Sequence, residues 1–310
     1  MSELPAPRHP RVAAIVVHYN GEDVSRLALA SLSRMAYANF ELVLLDNGST
    51  DDSGERLRQA FPTVTHLRFE PNAGASAGYA HGLAWGIAQG FDHVLLLNND
   101  LEVEPTLLDE LVAVMERDPR IGCVGPKTYY HGERPFLWSA GGDLRFREAV
   151  TRERGMGVAD RGQYERDEEV GYVNGCAILI RREAALAAGN WDPLFFICVD
   201  DADFCTRVKA AGFQCWYAHR AVVDHMVSRT TGGYTAGRNY RLGRSTGIYV
   251  RRYANRRQKL RFAFFTALAA VAATVRELPR GNQAAVFAKL RGLREAWRME
   301  IPPPPRFDRA

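Results

Sequence analysis

The sequence predicts an α/β fold: a mostly parallel central sheet with helices on both faces, followed by a helical C-terminal extension. Three observations predict it. Short apolar runs alternate four times with segments of helical periodicity in the first hundred residues, as βα units do. The first and fourth runs are apolar throughout, which marks strands buried on both faces. Several runs end in polar side chains, at the edge where ligands collect in open α/β sheets.

Arg11 to Val17 reads as the first buried strand, leaving through His18-Tyr19-Asn20-Gly21. Val24, Leu27, Ala28, Ser31, Leu32 and Met35 then recur at helical spacing. Phe40 to Leu45 is a second strand, and Asp46-Asn47-Gly48-Ser49-Thr50-Asp51 a turn and helix cap with Asp46 at the strand tip. Val64 to Phe69 is a third strand, and Pro71 to Gly82 a glycine-spaced entry into a helix running to about Gln89. Gly74, Gly78 and Gly82 fall on one side of that helix, where backbone can approach a ligand or simply a strand. Val94 to Leu97 is the central strand. It ends in Asn98-Asn99-Asp100 and gives way at Glu104-Pro105 to a helix over Leu107 to Met115. Asp100 is either a cap or a hard oxygen donor suited to Mg²⁺ or Mn²⁺.

Ile121 to Pro126 reads as a short strand and turn, and Glu133 to Glu169, polar and without periodicity, as a long surface excursion over the site. Strand character returns over Val170 to Ile180. Asp200, Asp201 and Asp203 crown a helix in which Phe204, Cys205, Val208 and Ala211 recur at helical spacing and Gly212 ends the run. One acid there is explained by capping; three so close need solvent, a cation or a raised pKa. Gln214 to Ala218 is a further strand, followed by His225 after a second short apolar run.

A chain of 310 residues with 46% hydrophobic content can bury one large core or two modest ones. The proline-bearing first ten residues predict a flexible start with no secretory signal. Five cysteines without CxxC spacing fit reduced thiols in a cytosolic compartment. The net charge of +4 hides an asymmetry: residues 251–310 carry 14 Lys/Arg against 4 Asp/Glu. Arg238 to Arg261 alone holds nine Lys/Arg and no acid, interleaved with Tyr240, Tyr249 and Tyr253. Such a run is either a solvated basic face or a contact for diphosphate or anionic lipid headgroups. The apolar run beside it, Phe262 to Val275, has 14 residues, fewer than the roughly 18 of a membrane span, and favours the membrane surface. The prolines at 302–305 mark an extended tail. Neither G-x-G-x-x-G nor G-x-x-x-x-G-K-[ST] occurs, so a nicotinamide oxidoreductase and a P-loop NTPase both lose their usual signal. The acidic strand-end cluster argues against a nucleic-acid partner for the basic run.

Taken in order and separation, four pieces resemble a family 2 inverting glycosyltransferase of the GT-A (Rossmann-like) fold over about residues 11–229. They are Asp46 to Asp51, the Asn72/Gly74/Gly78/Gly82 spacing, Leu97-Asn98-Asn99-Asp100, and Asp200-Asp201-Ala202-Asp203-Phe204-Cys205-x-Arg207. Within that family the chain most resembles the bacterial rhamnosyltransferase and galactofuranosyltransferase-like branch that builds cell-surface polysaccharide. The resemblance implies a GT-A domain over 11–235, with a nucleotide-binding half to about 125 and an acceptor-binding half from 126. A basic helical region over 236–300 and a Pro-rich tail over 301–310 follow.

The resemblance also implies roles. His18, Tyr19 and Asn20 would lie beside the nucleotide, Asp46 would accept a hydrogen bond from the base, and Asn72, Gly74, Gly78, Asn98 and Asn99 would line the nucleotide-sugar site. Asp100 matches the last acid of the D-x-D metal motif, whose first acid is replaced by Asn98, and His225 sits where relatives often place a metal-binding imidazole. Asp201 matches the general base, with Asp200 its close competitor. Trp191 offers a face for an acceptor sugar, beside Asp192. The implied partners are a UDP- or dTDP-linked sugar, a divalent cation (Mg²⁺ or Mn²⁺) and a lipid-linked glycan acceptor at the inner face of the cell membrane. The helical C-terminal third is left to pack on the domain, on a membrane or on a second copy as a homo-oligomer. A catalytically silent sugar-nucleotide or glycan binding protein on the same scaffold is the alternative, motivated by Asn98.

Overall fold

The computed structural model describes residues 9–227 and 235–307; expectations that fall on 1–8, 228–234 and 308–310 lie outside them. β1 (Val12–His18), β2 (Phe40–Asp46), β3 (Thr65–Arg68) and β4 (His93–Asn98) run parallel in the spatial order β3-β2-β1-β4. The connections carry α1 (Glu22–Leu32), α2 (Ser53–Ala60) and α3 (Ala75–Ala88). Strand side chains alternate between faces, and both faces are covered. Ala13, Ile15, Val17 and Leu96 enter one core with Tyr79 and Leu83 of α3, while Val12, Ala14, Val16 and Leu97 enter the other with Leu29 and Leu32 of α1.

Register sets the site. His18 pairs with Asp46, and Val17 with Asn98, so the polar ends of three adjacent strands share one edge of the sheet. α3 reaches that edge by lying very close to the strands. A Cβ at Gly78 would come within 2.5 Å of Val17, and one at Gly86 within 2.6 Å of Val94. Within the helix these glycines serve helix-to-sheet packing, including Gly78, which faces β1 and Asn47 rather than open space.

The second half adds β5 (Leu101–Val103), α4 (Leu107–Met115), β6 (Ile121–Tyr130), β7 (Leu137–Ser139), β8 (Gly142–Leu144), β9 (Thr151–Glu153) and β10 (Glu168–Glu169). It continues with β11 (Ala177–Arg181), α5 (Arg182–Ala188), α6 (Asp200–Ala210) and β12 (Gln214–His225). β11 runs antiparallel between β4 and β6, and β12 lies parallel to β6. The stretch 133–169 is not only a surface excursion: it carries β7 to β10 and buries Leu137, Ala140 and Val150. Strands of two or three residues are too short to show a period. β12 is one long strand whose register shifts between Ala218 and Val222, where the polar His219-Arg220 interrupts the apolar pattern.

At the C-terminus, α7 (Ala236–Tyr253) and α9 (Gln283–Arg298) cross closely, with α8 (Arg256–Glu277) between them in sequence. A Cβ at Gly243 would meet the Lys289 carbonyl oxygen at 2.1 Å, and one at Gly292 the Tyr240 carbonyl oxygen at 2.1 Å. α7 also enters the main core through Ile248, Tyr249 and Val250. Residues 301–307 carry no helix or strand and reach back to the end of α5: Asn190 donates its N–H to the Pro305 carbonyl at 3.1 Å.

Candidate active site

His18, at the tip of β1, is fully buried, with Nδ1 2.7 Å from Ser25 Oγ and Nε2 2.8 Å from Ser53 Oγ. Burial lowers its pKa. It ties α1 to α2 beneath the loops, and both ring nitrogens are taken up within the fold. Asn99 likewise turns inward, donating from Nδ2 to Ser25 Oγ at 2.8 Å. Tyr19 stays 37% exposed at the edge. Asn20, in the left-handed region at φ 53°, accepts from Thr50 N–H at 2.9 Å and donates its own N–H to Ser49 Oγ at 3.0 Å, joining the two exit loops.

Asp46 accepts from Ser49 N–H at 2.8 Å and pairs with the guanidinium of Arg68, its register partner on β3. Arg68 gave no sequence signal, because only strand pairing brings it there. Asn72 Oδ1 accepts from Gly74 N–H at 2.9 Å, and the Gly74 carbonyl accepts from Asn47 Nδ2 at 2.9 Å. Gly74 has φ 96° and lies against Phe196, so no side chain fits there.

Asn98 Oδ1 accepts from the Tyr79 hydroxyl. Two residues on, Asp100 Oδ1 lies 3.1 Å from His225 Nε2, both residues buried, and Met226 N–H donates to the Asp100 carbonyl at 2.9 Å. Two ligand atoms at right angles about a shared divalent ion, each about 2.1 Å from it, stand about 3.0 Å apart, so this pair fits one. His225 Nδ1 is buried without a hydrogen-bond partner among the described residues.

The three acids of α6 divide by partner. Asp203 is a structural anion, bonded by Arg207 Nε at 2.9 Å, Arg252 Nη1 at 3.0 Å and the Tyr253 hydroxyl at 2.7 Å. Asp200 Oδ2 accepts from Ser76 Oγ at 2.8 Å and Trp191 Nε1 at 2.9 Å, and burial raises its pKa. Asp201 has no cation beside it among the described residues: its oxygens accept from Gly175 N–H at 3.0 Å and Ala202 N–H at 2.8 Å. Burial first, then the Asp200 carboxylate, pushes the Asp201 pKa well above the carboxylate range. The backbone before the pair is strained, with Phe196, Cys198 and Val199 at φ 64°, 70° and 63°.

Trp191 does not offer a face to a sugar. It is fully buried, stacked on Phe204 at 4.8 Å and against Tyr79 at 5.2 Å, and it orients Asp200. Asp192 is also buried, caps the turn Pro193–Phe195 through Leu194 N–H and pairs with Arg252 at 2.7 Å. A large apolar body filled the core more readily than it lined a cleft. Two groups that sequence reasoning passed over stand close to the acids. Tyr79 lies within electrostatic reach of Asp200, Asp100 and Asp201, and so links the two constellations. Glu153 of β9, half-buried and with its pKa raised by desolvation, accepts from Asn174 Nδ2 at 2.8 Å and from the Ser139 and Tyr172 hydroxyls. The described cysteines are all free thiols, as expected.

The mostly parallel sheet carries the Asp100–His225 pair and the Asp200–Asp201 dyad at its carboxyl edge, and residues 9–244 match the family described as glycosyltransferase like family 2. The chain belongs to that family and is a glycosyltransferase of the GT-A fold. It is 29% identical over 243 residues to the N-acetylglucosaminyl-diphospho-decaprenol L-rhamnosyltransferase of Mycobacterium tuberculosis, covering 72% of this chain and 78% of that one. The O-antigen biosynthesis protein RfbC of Myxococcus xanthus is 26% identical, over 71% of this chain and 18% of its own. Among solved structures, the Pyrobaculum calidifontis mannosyltransferase PcManGT, in complex with GDP-Man and Mn²⁺, matches with TM-score 0.58 at 15% identity, over 95% of this chain and 89% of that one. GalNAc-T7 with UDP, GalNAc and Mn²⁺ matches with TM-score 0.60 at 15% identity, over 77% and 48%.

Proposed function

We propose that the protein transfers a rhamnose- or galactofuranose-like sugar, with inversion, from a UDP- or dTDP-linked donor to a hydroxyl of a lipid-linked glycan. The observation that carries this reading is the convergence of Asp100–His225 and Asp200–Asp201 around Tyr79 and Asn98 at one sheet edge. Asp46, Asn72, Gly74 and the exit loops hold the nucleotide side. Asp100 and His225 would hold a divalent cation, which when bound neutralises charge on the diphosphate leaving group. Asp201 takes the proton of the acceptor hydroxyl as its oxygen attacks the anomeric carbon, while the bond from that carbon to phosphate oxygen breaks and the nucleoside diphosphate departs. A single displacement from the opposite face inverts the centre. Asp200, held by Ser76 and Trp191, keeps Asp201 basic by its charge.

The rhamnosyltransferase relative, whose name gives a diphospho-decaprenol acceptor, supports a lipid-linked acceptor here. Its acceptor would be met at a membrane surface, where α8 docks as a peripheral helix. Calorimetric titration with UDP, dTDP and GDP, with and without Mn²⁺, tests the donor assignment: one nucleotide binds, and Mn²⁺ tightens it. Asp201→Asn is expected to lower turnover about 10²–10⁴-fold while leaving nucleotide affinity unchanged. Unchanged turnover would remove Asp201 as the base, whereas nucleotide binding with no turnover in the wild type would return the protein to the silent-binder alternative.

A further inference from the structure

A second cleft opens on the α7 side of the acids. It holds about 390 Å³ between the turn Pro193–Phe196 and α7, within the range of small-molecule sites. Leu194 and Phe196 make its apolar wall over the buried Phe195, and Tyr240, Arg241 and Arg244 its polar wall. The two arginines are not equivalent. Arg244 is engaged by Glu295 at 3.2 Å and by the Leu194 carbonyl at 2.7 Å. Arg241 lies with its guanidinium 4.3 Å over the Phe196 ring and has no anionic partner among the described residues. Arg238, one turn earlier on α7, likewise has no carboxylate partner among them, and residues 228–234 contain no acid in sequence.

The cleft is wired to the chemistry. Phe196, which the guanidinium covers, accepts from Ser76 N–H at 3.1 Å through its carbonyl, and Ser76 Oγ donates to Asp200. Arg238 and Arg241 both lie within electrostatic reach of Cys198, two residues before Asp200. An aromatic-backed guanidinium without a counterion, beside an apolar wall, suits an anion that carries an apolar chain.

We propose that this cleft binds the diphosphate and adjoining hydrocarbon of the lipid-linked acceptor, with Arg241 as the principal anion contact and Phe196 as the wall that sets its distance from Asp201. This rests on the transferase reading. The diphosphate sits against Arg241 and Arg238, the first carbons of the chain run along Leu194 and Phe196, and the glycan end points toward the acid pair.

Farnesyl diphosphate is the probe, titrated calorimetrically into the full chain with farnesol and inorganic pyrophosphate as controls. Farnesyl diphosphate binds, each control binds at least tenfold more weakly, and Arg241→Glu weakens the probe at least tenfold with the melting temperature unchanged. Asp100→Ala leaves probe affinity as it was while weakening nucleotide binding in Mn²⁺. The proposal is overturned if the probe does not bind, if pyrophosphate alone binds as tightly, or if Arg241→Glu has no effect. Failure of the transferase reading shows separately, as absent nucleotide binding, and leaves the probe result standing.

Discussion

As the proposed base, Asp201 must be an anion at the moment it takes a proton, in a place that resists anions. Burial, the neighbouring Asp200 and then Glu153 all raise its pKa, against which the fold sets the Gly175 N–H. The linkage has a definite sign. A carboxyl that holds its proton more tightly folded than unfolded makes the native state bind more protons, so stability falls as pH rises from the ordinary carboxylate range toward the raised value. Asp201→Asn removes that loss. Its melting temperature is expected to exceed wild type at pH 7.5 and to match it near pH 4, as calorimetric scans at the two values would show. Turnover moves the opposite way, rising with pH as Asp201 ionises, and a flat pH–rate profile would remove Asp201 as the base. The strained residues just before the pair fit the same picture, since left-handed non-glycine backbone costs about 1–3 kcal/mol each and persists where geometry is over-determined. Val199, β-branched at φ 63°, is the clearest of them.

At the scale of elements, α7 connects the C-terminal helices to the acids, because its Arg252 pairs with both Asp192 and Asp203. The seating of α7 depends on bare backbone at its crossing with α9. Gly292→Ala places a methyl 2.1 Å from the Tyr240 carbonyl oxygen, so the helices must part. A cost of about 1–3 kcal/mol is expected, read as a lowered melting temperature. Gly237→Ala, on α7 but in open space, is the control and stabilises by about 0.5–1 kcal/mol. Equal effects of the two would mean that the crossing is not tight in solution. Elements of this kind divide by how legible they were. The four parallel strands, α1, α3 and α6 showed in the sequence because each repeats its period over several turns or residues. β5 and β7 to β10 did not, having two or three residues each. The site divides in the same way. Asp100, Asp200 and Asp201 stood out as acids at strand or helix ends, whereas Ser76 meets Asp200 across 124 positions and Arg68 meets Asp46 only through register. Trp191 misled because a motif fixes position along the chain, while burial decides which way a side chain turns.

The molecule as a whole has one face that water should not keep. α8 turns Leu260, Phe264, Leu268, Val271 and Val275 outward, each more than half exposed, while Phe262 and Glu277 on its other side are buried. The 25-residue stretch Arg256–Arg280 is long and apolar enough to cross a membrane by length and composition, more than its 14-residue uncharged run suggested. Little of it is buried in the fold, where it meets α9, and the outward apolar stripe is the part proposed to meet a membrane surface. Arg256, Arg257 and Arg261 stand exposed at one end and Arg276 and Arg280, both paired with Glu277, at the other; on the proposed membrane-surface reading they would meet anionic headgroups while the stripe entered the acyl boundary. Each apolar side chain fully transferred contributes about 1.5–3 kcal/mol, and each cation near an anionic surface about 1 kcal/mol. Co-sedimentation with vesicles of phosphatidylglycerol and phosphatidylcholine is therefore expected to exceed that with phosphatidylcholine alone and to weaken with salt. The triple change Phe264→Glu, Leu268→Glu, Val271→Glu should release the protein from both, with nucleotide affinity intact. If the wild type instead ignores vesicles and sediments as a dimer that the same change dissociates, the stripe is an interface between two copies, and the acceptor must reach the arginine cleft by another route.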